Sequence, residues 1–88
     1  MIIEVDNSFK KDFKKIKNLE LEKRVIDKLN KIEKVNNIYD ISNIKLMKWF
    51  SDFYRIRIWD YRIGFKLEWD KLILFIIRNM NYIYNIFP

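Results

Sequence analysis

The 88-residue chain contains no cysteine and no histidine. The first absence excludes a disulfide framework, a thiol nucleophile, zinc-thiolate sites and iron-sulfur ligation together. The second removes the usual proton shuttle near neutral pH and the commonest nitrogen ligand for a metal, so any catalysis must draw on carboxylate, tyrosine, lysine or arginine; no metal or other cofactor is expected. Glycine and proline each occur once, as Gly64 and Pro88. Long apolar runs are missing too. The longest, Leu72 to Ile77, stops at Arg78 and has the length of a strand, far short of the about 18 residues that a membrane helix needs. The opening Met1-Ile2-Ile3-Glu4-Val5-Asp6 has no basic leader. A cytoplasmic protein that does not enter the membrane is the expectation.

Half of the residues are hydrophobic and 17% are aromatic, enough for a core in a single domain spanning residues 1–88. A chain this small buries only about 60 to 65% of its unfolded surface and is marginal without a partner. Eighteen basic against twelve acidic residues leave a net charge of +6, which predicts attraction to a polyanion. The kind of base changes along the chain. Before position 35 the only arginine is Arg24 among lysines, a bland helix-surface residue on this reading; after it come Arg55, Arg57, Arg62 and Arg78. Arginine presents a planar fork that binds phosphate oxygens in pairs, so the second part is where phosphate recognition is expected.

Phe9, Phe13 and Ile16 recur at helical spacing behind Asn7 or Ser8 as a cap. A second amphipathic helix follows Asn18, with Leu21, Val25, Leu29 and Ile32 on one stripe and Glu20 and Glu22 in its first turn. The short connection makes the two helices an antiparallel pair. Their lysines are either a polyanion contact or simply a solvated face, and neither Ser8 nor Asp12 suggests chemistry. Residues 35–43 read as a loop with its turn signal at Asn36-Asn37.

The period then becomes two. Tyr54 to Ile58 and Tyr61 to Glu68 alternate base and apolar residue about a turn at Trp59-Asp60. Leu72 to Arg78 is apolar on both faces, as a strand between two neighbours would be. Residues 1–6 add an edge or parallel strand, and Ile83 to Phe87 a short terminal one. The fold class is therefore α+β: two N-terminal antiparallel helices on one face of a mainly antiparallel twisted sheet.

A two-residue turn at Trp59-Asp60 pairs Ile58 with Tyr61, Arg57 with Arg62, Arg55 with Gly64 and Phe53 with Lys66. Arg55, Arg57, Arg62 and Lys66 then share one face, with the apolar residues on the other beneath the helices. Like charges placed opposite each other cost up to about 1 kcal/mol, so Arg57 against Arg62 is better explained by a phosphate between them than by folding, the alternative being a merely polar solvent face. Gly64 either leaves room for a sugar-phosphate or marks a bulge. Trp49, Trp59, Trp69, Tyr82 and Tyr84 can stack on unpaired bases; Trp59, at an exposed turn, is the leading candidate. For Arg78 the geometry forks. A three-residue turn at Trp69 pairs it with Arg62 on the basic face, and a two-residue turn sends it toward the helices.

The segment Tyr54-Arg55-Ile56-Arg57-Ile58-Trp59-Asp60-Tyr61-Arg62-Ile63 resembles the signature of the RelE/ParE superfamily of toxin-antitoxin toxins. Phe9 with Lys11-Asp12, Leu46-Met47-Lys48, and Ile83-Tyr84 with Phe87-Pro88 extend the resemblance over nearly the whole chain. In RelE-type members it implies a microbial RNase-like fold that cleaves mRNA in the ribosomal A site, with a cognate RelB-like antitoxin, the ribosome and mRNA as partners. By resemblance Arg55, Arg57 and Arg62 grip and activate the scissile phosphate, Lys48 is a flanking RNA contact, and Tyr84 is the catalytic tyrosine, held toward phenolate by neighbouring cations. Lys66 and Trp59 complete the expected RNA contacts. The chain has Asn79-Met80 where many members have His-Arg, and Trp59 where glycine is common. A histidine-dependent variant of the chemistry is thus unavailable, and Arg78, six residues before Tyr84, is assigned charge stabilisation of the leaving oxygen. The competing readings are a ParE-like or degenerate toxin that acts by binding a protein such as a topoisomerase, and a noncatalytic RNA-binding module.

Overall fold

The computed structural model describes residues 1–46 and 52–80. Lys48, Trp49, Tyr82, Tyr84 and the strand expected at Ile83 to Phe87 lie outside them.

Strand β1 (Ile2–Val5) leads directly into helix α1 (Asn7–Lys15). The cap of α1 is Asp6 rather than Asn7 or Ser8: its backbone is still extended, and its carboxylate accepts the Ser8 N–H at 3.0 Å, as a helix start requires. Helix α2 (Leu19–Glu33) is capped by Asn18, whose side chain accepts the Leu21 N–H at 3.1 Å. Of its expected stripe, Leu21, Val25 and Ile32 are buried, and Leu29 packs half-buried against the same cluster. The segment read as a loop contains a 3-10 turn at Ile38–Asp40, opened by Asn37, that plants Ile38 and Ile41 in the core. A strand the sequence does not announce, β2 (Ile44–Leu46), follows; three residues are too few for an alternation to register. Strands β3 (Phe53–Ile58), β4 (Tyr61–Glu68) and β5 (Lys71–Asn79) complete a five-stranded sheet in the order β1-β5-β4-β3-β2.

Among the described residues only the β1–β5 pairing is parallel. The β3–β4 register is the expected one, with Ile58 opposite Tyr61, Arg57 opposite Arg62, Arg55 opposite Gly64 and Phe53 opposite Lys66. Tyr54, Ile56, Ile58, Ile63, Phe65, Leu72, Leu74 and Ile77 form one buried cluster with Phe9, Ile16 and the stripe of α2. Phe53, Phe75 and Ile76 form a small separate cluster.

Both branches of the Arg78 fork hold in part. The second turn has two residues, Trp69 and Asp70, and Glu68 pairs with Lys71. Between Gly64 and Phe65, however, the register slips by one: Phe65 faces Leu74 while Gly64 faces Ile76, leaving Phe75 as the extra residue of a bulge. The slip restores the parity that the short turn would have lost. Arg62 consequently stands opposite Arg78. Gly64 thus flanks a bulge, as one of its two readings expected, although the extra residue is Phe75 of β5.

Beyond Leu74 this edge of β5 has no strand partner among the described residues, because the chain leaves β1 for α1. Helix α1 lies along that edge and meets its polar groups. The one proton of the Ser8 hydroxyl is shared between the Asp6 carboxylate and the Phe75 carbonyl, each 2.6 Å away, and the Ile77 N–H donates to Asp12 Oδ2 at 3.3 Å.

Candidate functional site

The sheet surface turned away from the helices carries the bases of three adjacent strands. Lys45 of β2 is opposite Arg55 of β3, and Arg57 of β3 is opposite Arg62 of β4. Strand alternation puts all four on one face, since each sits two residues from the next on its own strand or directly across from it. Asn43, Ile44, Lys45, Arg55, Arg57 and Arg62 line a hollow of about 230 Å³ there. Among these lining residues none is acidic, so the hollow is a positively charged surface suited to phosphate oxygens.

The facing arginines are held by the chain's own backbone. The Trp59 carbonyl accepts Arg57 Nε at 3.4 Å and Arg62 Nη1 at 3.0 Å. A second Arg62 contact goes to the Tyr61 carbonyl at 3.0 Å, and Nη2 lies 3.4 Å from Met80 Sδ. One carbonyl oxygen between two guanidinium groups offsets part of their repulsion, so a bound phosphate is not required to explain the juxtaposition. This corrects the expectation drawn from the register alone. The same contacts hold two guanidinium forks in place, which would lower the ordering cost of binding an anion.

Trp59 adopts φ 54°, a left-handed conformation unusual for a bulky residue. The residue is 42% exposed, and its ring lies under the Arg24 guanidinium, 4.6 Å from the ring centroid. Arg24 is thus no bland surface residue. Lys66 sits on the basic face but is engaged there, 3.3 Å from Glu68 Oε1 and 5.8 Å from the Phe53 ring centroid.

Arg78 departs furthest from its expected setting. Its register position is on the basic face, yet its side chain reaches the sheet edge and contacts Asp12 Oδ1 through Nε at 3.0 Å and Nη2 at 2.9 Å. The structure therefore brings Arg55, Arg57 and Arg62 together, leaves Arg78 neutralised by an internal carboxylate, and places Lys66 beside one. Lys48 and Tyr84 lie outside the described residues.

Sequence reasoning missed Lys45 and Asp12. Lys45 is invisible without β2. Asp12 does carry a signal: it occupies the i+3 position of the stripe Phe9, Phe13, Ile16, where an unpaired carboxylate would be costly. An acid on a buried stripe calls for a cationic partner.

Two helices on a five-stranded, mostly antiparallel sheet, with clustered arginines on the opposite face, define a RelE/ParE-type toxin fold. The chain belongs to the family described as ParE toxin of type II toxin-antitoxin system, parDE, whose profile matches residues 3–78. It is therefore the toxin of a type II toxin-antitoxin system. It is 30% identical over 82 residues, 92% of each chain, to a curated protein named Toxin RelE3 from Methanocaldococcus jannaschii. It superposes on one chain of the crystal structure of the RelB-RelE antitoxin-toxin complex from Methanococcus jannaschii with a TM-score of 0.82 and 27% identity, covering 97% of this chain and 99% of that one. A conserved hypothetical protein from Helicobacter pylori, solved in solution, shares the fold with a TM-score of 0.63 and 22% identity over 92% of this chain and 96% of its own. No helix among the described residues is long and apolar enough to cross a membrane.

Proposed function

We propose that this toxin is an endoribonuclease that cleaves mRNA on the ribosome. The observation that carries the reading is the convergence of Arg55, Arg57 and Arg62, joined by Lys45, around one hollow with no acidic residue among its described lining. In the proposed reaction the ribose 2′-oxygen attacks the adjacent phosphorus and forms a cyclic 2′,3′-phosphate as the bond to the 5′-oxygen breaks. Tyr84 takes the 2′-proton, and the departing 5′-oxygen receives a proton from water. Negative charge grows on the nonbridging oxygens, where preorganised guanidinium groups stabilise it most. Arg55, Arg57 and Arg62 serve that role, while Lys48, Lys66 and Trp59 hold flanking nucleotides. Arg78 assists the leaving oxygen only when Asp12 yields it.

The relative in the RelB-RelE complex is bound by an antitoxin. A comparable acidic, RelB-like antitoxin is proposed here, matched to the +6 charge of this chain. Primer extension on translated mRNA tests the catalytic reading. A-site cleavage by the wild-type chain that disappears in Arg62→Ala is expected; intact mRNA with stalled replication would instead mark a toxin that acts by binding a protein.

A further inference from the structure

A second basic cavity opens on the other side of Arg57. It measures about 310 Å³, lies between α2 and the β3–β4 turn, and is lined by Arg24, Asp27, Lys28 and Lys31 from the helix with Asn43, Arg57, Ile58 and Trp59 opposite. Arg57 and Asn43 also line the hollow on the sheet face, so the two cavities share a wall. Four cations meet one carboxylate here. Asp27 forms no salt bridge among the described residues, and Arg24 pairs only loosely with Glu20, at 3.8 Å, outside the cavity lining.

The cavity is built rather than incidental. The Lys28 ammonium is fixed by the Ser42 carbonyl at 2.7 Å and the Ser42 hydroxyl at 2.6 Å. Burial first, and then the charge of Lys31 beside it, pushes the Lys28 pKa down, and an anion against the ammonium would oppose both effects. Arg24 lies over the Trp59 ring and holds that indole as a wall.

We infer that this cavity is a second phosphate subsite for single-stranded RNA, taking the backbone of a nucleotide that flanks the one held on the sheet face. Arg57 is the hinge between the subsites, and Lys28 and Lys31 grip the second phosphate. Trp59 offers apolar surface to the attached ribose or base. A strand bound this way passes from the sheet face around the hairpin turn onto α2. RNA is favoured over an acidic peptide because the cavity continues the sheet-face hollow and combines cations with an aromatic wall. The inference rests on the proposed RNA-binding role of the sheet face.

The test uses 2′-O-methyl RNA, which lacks the attacking hydroxyl, as a dinucleotide and a hexanucleotide, with binding to the full chain measured by fluorescence anisotropy over a range of salt. Lys31→Ala should weaken the hexanucleotide about three- to fivefold at physiological salt and lower its salt slope by about 0.7, the share of one phosphate contact. The dinucleotide should be unaffected by that change. Arg62→Ala should weaken both. Hexanucleotide binding unchanged in Lys31→Ala while Arg62→Ala weakens both lengths would overturn the second subsite and leave the sheet-face reading standing. Indifference to both substitutions would remove both. A Lys31→Ala loss seen with poly-L-glutamate but not with the hexanucleotide would make the cavity a carboxylate site and likewise overturn the inference.

Discussion

The nearly buried carboxylate of Asp12 holds the Arg78 guanidinium through contacts of 2.9 and 3.0 Å, and its second oxygen accepts the Ile77 N–H at 3.3 Å. One side chain therefore satisfies the Ile77 N–H on the sheet edge that β1 leaves open and draws a cation off the basic face. The pair ties the docking of α1 to the electrostatics of the site.

Asp12→Ala should destabilise the fold by about 2 kcal/mol, because it strands a buried N–H and unpairs a half-buried guanidinium. Asp12→Asn keeps an acceptor for Ile77 and should cost about half as much. Urea denaturation midpoints of the two variants measure the difference, and equal losses would contradict the edge-closing role.

The two hairpin turns contain tryptophans at φ 54° and φ 58°, at Trp59 and Trp69. Trp69 is 97% exposed. Trp69→Gly should raise stability by about 0.5 to 1 kcal/mol, the left-handed penalty relieved less the entropy that glycine adds to the unfolded chain. Trp59→Gly relieves the same strain but loses the stacking with Arg24, worth about 0.5 to 1 kcal/mol, and should gain little or nothing. Thermal melts of both variants provide the comparison.

Lys45 was not legible as a site residue, yet it faces the shared hollow. Lys45→Ala should lower affinity for uncleavable RNA and reduce the salt slope by about 0.7 without altering the melting temperature by more than a surface substitution does. An unchanged slope would remove Lys45 from the binding face.

Acid should loosen the start of α1. The bonds from the Ser8 hydroxyl and then the Ser8 N–H hold the Asp6 carboxyl below its ordinary pKa of 3.8. The folded state thus binds its proton less readily than the unfolded state. Its contribution is present above that pKa and is lost as the pH falls through the lower folded-state value. Asp6→Asn, which does not titrate, should flatten the fall in stability below about pH 4, as measured by urea midpoints across that range.

Alternation, helical stripes and the Trp59-Asp60 turn were sufficient by themselves to place the helices, the β3–β4 register and the face bearing Arg55, Arg57 and Arg62, because each depends on residues near in sequence whose periodicity sorts them to core or solvent. The strand β2, the bulge at Phe75, the cavity beneath Arg24 and the capture of Arg78 by Asp12 were decided only in three dimensions. The last two join segments far apart in the chain, as with the 66 positions between Asp12 and Arg78, and local pattern holds no information about which distant group will arrive to satisfy an exposed edge or a buried charge; β2 pairs with nearby β3 but is too short to show a period, and the bulge is a one-residue slip that turn length does not reveal.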